Sequence, residues 1–258
     1  MLIRSITLAL VAAATVTAHA VPVVPSYATF GPFNGTSKNP ATYGGVGIPT
    51  DPSAFRTFSQ DGGNLITLAL TAYQRSCSPP LTGKANGKFQ ATTGRNTVNV
   101  NCAAPSLPQA ATFDFGYYLD LGNTDFANLV GAQLFYDLDP AIGNDISTYG
   151  RIDFKKIKDL PQSGSVVQGS SNFDFQRLNE SSGDLGISAP TAGFDPFVAG
   201  EYGLLLRVTT ERESQEVSIL VNVAAEPGPS PVPVPEPGTW ALVGLALVGM
   251  GAVRRRKG

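Results

Sequence analysis

The sequence predicts an all-β protein, an antiparallel β-sandwich with an additional apolar segment at each end of the chain. Apolar residues in the middle of the chain alternate with polar ones over short runs, the pattern of strands buried on one face. Turn-forming residues separate these runs, and the 258 residues include 28 glycines and 20 prolines. Only 15% of the residues are charged, which argues against helical bundles and coiled coils. Strands buried on one face need a second sheet, so we expect an Ig-like or jelly-roll-like sandwich.

Residues 1–20 have the pattern of a cleaved signal peptide. Arg4 supplies a basic start, an apolar run covers residues 6–16, and Ala18-His19-Ala20 fits the small-x-small cleavage pattern. The run is too short to span roughly 30 Å of hydrocarbon, so cleavage is favoured over an N-terminal anchor. The mature chain is therefore expected to begin near Val21.

Cleavage would also narrow the chemistry open to the mature protein. His19 is the only histidine, so its loss excludes Ser-His-Asp and Cys-His nucleophiles and histidine-containing zinc sites. Five of the basic residues lie in the terminal segments, which leaves the part between them mildly acidic. An acidic domain is repelled by phosphate backbones, so no nucleic-acid partner is expected.

Residues 21–224 are predicted to form one exported β domain. The clearest strand is 112–121, in which Phe113, Phe115 and Tyr117 alternate with polar residues. A terminal hairpin is predicted from alternation over 202–208 and 217–223 on either side of a polar turn. Further strands are predicted at 65–73, 97–102, 132–138, 151–157 and 172–178. The segment 27–64 has few alternating apolar residues and is expected to hold loops and irregular strands.

The two cysteines of the chain, Cys77 and Cys102, lie in the exported part, 25 positions apart. An isolated pair in an oxidising compartment favours one disulfide, which would stabilise the fold by roughly 3 kcal/mol. Two free buried thiols are the alternative. A redox role is not expected, because the pair lacks Cys-x-x-Cys spacing.

A cluster of acidic residues follows one predicted strand. Asp137, Asp139 and Asp145 fall within nine residues, and carboxylate oxygens at such spacing suit calcium. The segment departs from the EF-hand pattern, with Ala141 and Thr148 where ligands would stand. Asp and Asn also populate β-turns because their side chains bind the local backbone, and this alternative is favoured. Calcium thus remains a possible cofactor, and no other cofactor is expected.

Catalysis is not expected from this domain. A glycosidase needs two carboxylates and no histidine, and a pair drawn from the aspartates of the domain is the one enzyme route left open: the candidates are Asp114, Asp120, Asp125, Asp137 and Asp139.

Aromatic side chains such as Tyr117, Tyr118, Phe135 and Tyr136 could stack on sugars. Alternation assigns Phe113, Phe115 and Tyr117 to the core, which leaves Tyr118 as the surface candidate.

The C-terminal part of the sequence has three successive segments. Residues 225–238 carry a proline at every second position from 227 to 237, which predicts an extended polyproline II stalk. Residues 239–253 are uncharged and predict a transmembrane helix, with Trp240 as an interfacial anchor. The basic cluster 254–258 that follows should stay on the cytoplasmic side: Arg254, Arg255, Arg256 and Lys257.

These segments resemble a known family of sorting signals. Pro235-Glu236-Pro237, the apolar helix and the terminal basic cluster occur in the order of the PEP-CTERM signal of Gram-negative bacteria that make exopolysaccharide. The resemblance covers about the last 25 residues. It implies recognition of Pro235, Glu236 and Pro237 by an exosortase, a membrane-embedded cysteine transpeptidase-like enzyme, and then removal or replacement of the tail.

The expected function follows from this address. We expect an exported, non-catalytic protein that is held briefly in the inner membrane and then reaches the cell surface or an extracellular matrix such as a biofilm, where it is structural or adhesive. A span of about 15 residues is short for a permanent anchor, which suits temporary retention. The alternative is a carbohydrate- or calcium-binding module that stays anchored by its C-terminal helix. Exopolysaccharide is a possible partner in either case.

Overall fold

The computed structural model describes residues 22–60, 63–75, 78, 80–96, 110–158, 160 and 166–225. The chain divides into two units, Met1–Ala225 and Glu226–Gly258, and all the described residues belong to the first. The predicted signal peptide, proline-rich stalk, transmembrane helix and basic cluster lie outside the described residues. Within the described part of the chain, no helix is long and apolar enough to cross a membrane.

The described residues are mostly β-structure. They contain one turn of α-helix, α1 (Gln176–Asn179), and two short 3-10 helices, Phe126–Asn128 and Ile146–Thr148. The strands are β1 (Thr29–Gly31), β2 (Ser53–Gln60), β3 (Asn64–Gln74), β4 (Thr82–Ala85), β5 (Lys88–Thr92), β6 (Phe113–Asp120), β7 (Gly131–Tyr136), β8 (Gly150–Ile157), β9 (Val166–Ser171), β10 (Leu185–Ser188), β11 (Gly200–Thr209) and β12 (Ser214–Ala224).

These strands form two sheets. The five-stranded sheet has the order β1-β2-β3-β6-β9 and is antiparallel throughout. The seven-stranded sheet has the order β10-β8-β7-β11-β12-β5-β4, and its β12–β5 pair is parallel. The prediction of an antiparallel sandwich is therefore wrong at this pair. Alternation predicts which face of a strand is buried but not its direction, and no hairpin turn links β5 to β12.

One hydrophobic core joins the inner faces of the two sheets, as period-two alternation predicts. In the five-stranded sheet the core side chains alternate along β3 and β6, although β3 is buried on both faces from residue 66 to residue 73. In the seven-stranded sheet the core side chains alternate along β7, β11 and β12. The core includes Ile66, Leu68, Leu70, Phe113, Phe115, Leu119, Leu134, Tyr136, Leu204, Leu206, Val217, Ile219 and Val221. The coarse prediction of a mostly β protein with two packed sheets is confirmed.

The terminal hairpin is confirmed, whereas one predicted strand is wrong. β11 and β12 pair antiparallel, and Thr210 closes their turn by hydrogen-bonding to Glu213. Residues 172–178, predicted as a strand, instead form a turn and α1, and the neighbouring strand is β9. The predicted strand 97–102 lies outside the described residues.

Residues 32–49 cover the outer face of the five-stranded sheet, forming a layer that the sequence did not predict. Phe33 and Tyr43 are buried there against Ala69 and Tyr118. The Tyr43 hydroxyl lies 2.7 Å from Ser53 Oγ. Tyr43 and Gly44 both adopt positive φ, and a Cβ on Gly44 would lie 3.0 Å from a backbone atom of β9. The glycine-rich sequence therefore forms a tight turn that brings this layer close to the sheet.

Residues 22–28 cross the outer face of the seven-stranded sheet. Ser26 forms an isolated bridge with Ser218 of β12, and Ser218 Oγ donates to the Val24 carbonyl at 2.5 Å. Val23 is buried against Tyr149 and Leu205. The fold therefore uses residues that directly follow the predicted cleavage site.

Candidate functional site

One concave surface among the described residues is a groove on the outer face of β2 and β3. Its volume is about 600 Å³, within the range of roughly 300–1,000 Å³ typical of ligand sites. The floor consists of outward-facing residues of two neighbouring strands, Phe55 and Thr57 of β2 and Leu65 and Thr67 of β3. Residues 32–39 form one wall, and the turn after β6 forms the other.

Asp120, at the end of β6, holds the first wall in place. Its Oδ2 accepts hydrogen bonds from Thr36 Oγ1 at 2.6 Å and from Asn39 Nδ2 at 3.1 Å. Its Oδ1 accepts the Gly122 N–H at 2.8 Å, which fixes the opposite turn as well. The side chain is buried. Asp120 is therefore a structural tie between the two walls of the groove, with both carboxylate oxygens engaged.

Tyr118, predicted to be a surface aromatic, is completely buried, so that prediction was wrong. Its ring packs edge-on against Phe33 at 5.1 Å, and its hydroxyl donates to the Asn39 carbonyl at 2.7 Å. Burial raises the pKa of its hydroxyl. Alternation does place Tyr118 on the outer face of β6, but residues 32–49 cover that face.

We expect Tyr118→Phe to lower the free energy of unfolding by roughly 1–2 kcal/mol, because the ring would still pack while the Asn39 carbonyl and the Thr36 N–H would lose a buried partner. Urea denaturation, monitored by far-UV circular dichroism, measures this change in stability. Tyr27→Phe is the matched control, since the Tyr27 hydroxyl has no hydrogen bond among the described residues. Equal stabilities of the two variants would contradict this role for the Tyr118 hydroxyl.

The other aromatic candidates are largely internal. Phe113 and Phe115 are buried and Tyr117 packs against the core, as predicted. Tyr136 is buried, and its hydroxyl donates to the Leu178 carbonyl at 2.8 Å. Phe135 is half-buried on the outer face of the seven-stranded sheet, where the Arg207 guanidinium lies 5.3 Å from its ring centre.

The three calcium candidates serve the local backbone. Asp137 accepts from the Asp139 N–H and from Asn144 Nδ2, at 3.0 and 2.9 Å. Asp139 accepts the Ala141 N–H, and the Asp145 carboxylate caps the helix Ile146–Thr148. Burial raises the pKa of Asp137, and the bond from Asn144 opposes this shift. The hydrogen bonds thus agree with the turn alternative.

Within the described ranges, no group of three or more His, Cys, Asp or Glu side chains is arranged to hold a metal ion. The turn hydrogen bonds of Asp137, Asp139 and Asp145 would have to be displaced for calcium to bind, so we expect millimolar CaCl2 to change the melting temperature by no more than roughly 1 °C. Differential scanning fluorimetry measures this against NaCl of equal ionic strength. A rise of several degrees with calcium alone would restore the calcium site.

Four of the five carboxylates considered for a glycosidase pair accept hydrogen bonds within the fold: Asp114, Asp120, Asp137 and Asp139. The fifth, Asp125, is exposed, and its side chain does not cap the helix Phe126–Asn128 that it precedes. Asp114 is paired with Arg75 at 3.1 Å and accepts from Asn172 Nδ2 at 2.7 Å. Burial raises its pKa, against the opposing effects of both partners. Asp114 and Asp120 lie on the same face of β6, which puts them roughly 20 Å apart. An inverting pair requires about 6.5–9.5 Å, so these two do not form one.

Cys77 and Cys102 lie outside the described residues, so the disulfide remains a prediction. Arg75 lies two residues before Cys77, and its backbone N–H donates to the Thr112 carbonyl at 2.8 Å. Asn96 lies six residues before Cys102, and its backbone N–H donates to the Ala110 carbonyl at 2.8 Å. The fold thus brings the two chain segments that lead to the cysteines to one short stretch.

We expect the exported protein, denatured without reductant, to show no free thiol, because export would oxidise the pair. After reduction, the same protein should show two thiols with a thiol-specific dye. The reduced and unreduced samples serve as each other's control. Two reactive thiols before reduction would rule the bridge out.

The sorting residues also lie outside the described part, and the comparison with protein families bears on them. Residues 233–257 match the family model of the PEP-CTERM protein-sorting motif. Neither curated proteins nor solved structures gave a match to the chain. The match includes Pro235, Glu236, Pro237 and the basic cluster, as the sequence predicted. The chain carries a PEP-CTERM protein-sorting motif, which indicates an exported protein processed by an exosortase.

Proposed function

We propose that this protein is a non-catalytic structural or adhesive component of the cell surface or of an extracellular polysaccharide matrix, delivered there through its sorting motif. Residues 239–253 hold it in the inner membrane during sorting, and the basic cluster stays in the cytoplasm. Exosortase then acts at Pro235, Glu236 and Pro237, and the β domain leaves with its stalk. The match of residues 233–257 to the sorting motif is the observation that carries this proposal.

The connection between domain and tail supports a structural role. β12 ends at Ala224 and is followed at once by the proline-rich stretch. The strand is hydrogen-bonded on one side to β11 and on the other to β5, and Ser26 binds its middle. A pull along the strand would therefore load hydrogen bonds on both sides in shear, so that they resist together. Such an attachment suits a domain displayed on an extended stalk.

The chain segments that cover the outer faces of the two sheets also suit an extracellular domain. Each sheet has part of its outer face covered by chain from residues 22–49, as the burial of Val23 and Phe33 shows. The Arg75–Asp114 pair is largely buried, so solvent ions screen it less than an exposed pair. These contacts add to the cohesion of the domain.

The experiment that tests this role uses a deletion strain, in which the polysaccharide-producing host no longer makes this protein. We expect these cells to make the same total polysaccharide but to retain less of it, with reduced attachment to a surface. Re-expression of the full chain should restore retention. Unchanged retention and attachment in the deletion strain would contradict a structural or adhesive role.

A further inference from the structure

The groove on β2 and β3 has an apolar contact at each end of its floor. Leu65 is 56% exposed although it lies in a strand, and Phe55 is partly exposed beside Phe33, with ring centres 5.0 Å apart. In the strand register Leu65 stands opposite Ser59, four residues along β2 from Phe55. The two apolar side chains are therefore roughly 14 Å apart along the strands. This spacing suits an elongated ligand.

The middle of the floor is polar. Thr57 and Thr67 stand directly opposite each other in the register, and their hydroxyl oxygens are 3.0 Å apart. One hydroxyl hydrogen joins the pair. Thr67 is buried, whereas Thr57 is exposed and keeps its remaining hydrogen-bonding capacity for a ligand. The floor thus alternates an apolar contact, a hydroxyl pair and a second apolar contact.

The rim carries polar groups that the fold leaves unused. Within the described residues, the side chains of Asn34, Ser37 and Asn123 make no hydrogen bond, and Lys38 makes no ion pair. The groups behind them are fully engaged: Asn64 donates to the Leu121 carbonyl and to Thr124 Oγ1, which fixes the turn on that side. Fixed walls with free neutral amides and hydroxyls are the features of a pre-formed site.

We infer that this groove binds a pyranose chain, specifically a neutral segment of a polysaccharide. The apolar faces of sugar rings would rest on Phe55 and Leu65, and ring hydroxyls would bond to Thr57 and the rim amides. Among the described residues that line the groove, Lys38 is the only cation and Asp120 the only carboxylate. Asp120 already accepts hydrogen bonds at both oxygens. The small number of charged groups favours a neutral ligand. This inference rests on the proposed function, for which it names the polymer contact.

The test is calorimetric titration of the full chain, purified in a zwitterionic detergent. The probes are neutral hexasaccharides of glucose, galactose and mannose, with hexagalacturonate as the charged arm. We expect at least one neutral probe to bind, and Leu65→Asp to weaken that binding about tenfold or more by placing a carboxylate on the floor. Leu185→Asp is the matched control, since Leu185 is an exposed leucine of β10 in the other sheet. Its affinity should match that of the wild type.

Three results would overturn the inference: no binding of any neutral probe, binding of hexagalacturonate alone, or neutral binding that Leu65→Asp leaves unchanged. Circular dichroism shows that each variant is folded before titration. If the deletion strain loses matrix retention while no probe binds, this inference fails and the proposed function stands. If a neutral probe binds at the groove while the deletion strain keeps its matrix, the proposed function fails instead.

Discussion

Replacing Pro235, Glu236 and Pro237 together by alanine is expected to stop processing of the tail and to hold the protein in the inner membrane. The motif is the part of the signal that an exosortase recognises, whereas residues 239–257 of the variant would keep the apolar segment and the basic cluster that retain the chain. We expect the processed fraction in the medium and at the surface to fall about tenfold or more. Immunoblots of separated membrane, surface and medium fractions measure it.

The chain offers a matched control for this substitution. Pro227, Pro229 and Pro231 lie in the same proline-rich segment but outside the matched residues 233–257. Replacing these three by alanine also shortens the polyproline stretch, yet it should leave processing unchanged. Equal loss of processing in both variants would show that stalk stiffness, and not the motif, is recognised.

Asn172→Ala is expected to lower the free energy of unfolding by roughly 3–5 kcal/mol, because this fully buried amide joins β6 to the turn after β9. Its Oδ1 accepts the N–H groups of Ala111 and Asp174, and its Nδ2 lies within bonding distance of the carbonyls of Ala111 and Phe113 and of Asp114 Oδ1. Alanine would leave several of these buried groups without a partner. Domains are stable by only about 5–15 kcal/mol, so the loss is a large share.

The effect should also depend on pH. The pKa of Asp114 is raised above 3.8 in the fold, and loss of the Asn172 donor would raise it further. A carboxyl with a raised folded pKa destabilises the fold as the pH rises through that pKa, because its ionised form is then buried. The stability difference between Asn172→Ala and wild type should therefore be larger at neutral pH than in the acid range just above 3.8.

Denaturant unfolding at two pH values measures both effects, with Asn128→Ala as the control. Asn128 is exposed at the end of the helix Phe126–Asn128, so its loss should change stability by no more than about 0.5 kcal/mol. A loss below roughly 1 kcal/mol for Asn172→Ala, or a loss equal at both pH values, would contradict the role given to this amide.

The inner faces of the sheets were predictable because burial on one side imposes a period of two on each strand. Phe113, Phe115 and Leu119 show it in β6, and the terminal hairpin shows it over both its strands. Each of these patterns is local and survives without knowledge of the partner strand. Strand direction has no such local signal, which is why the parallel pairing of β5 with β12 was missed.

The outer layers were not predictable from local patterns. Phe33 and Tyr43 lie in a segment without periodicity, and their contacts with Tyr118 join residues more than 70 positions apart. The same holds for Asn172, whose amide replaces strand pairing with bonds to residues about 60 positions away. In each case a long-range contact overrides the alternation that marks Tyr118 as exposed and 172–178 as a strand.

The two candidate sites differ in the same way. The sorting motif is linear, so Pro235-Glu236-Pro237 and the basic cluster could be identified from the printed sequence, and the family model agrees. The groove is assembled from residues near 34, 55, 65 and 123, and no short stretch carries its signature. Only the unusual apolar Leu65 beside polar Asn64, at the start of a strand, hints at it.

The central claim is that the C-terminal segment is a transient sorting signal. The most direct test is the intact mass of the protein from its producing cells, with membrane and medium fractions measured separately. We expect a species that begins near Val21 and ends near Pro235 in the surface or medium fraction, with or without an attached group. A single species in the membrane fraction that retains Arg254, Arg255, Arg256 and Lys257 would contradict it and establish a permanent anchor.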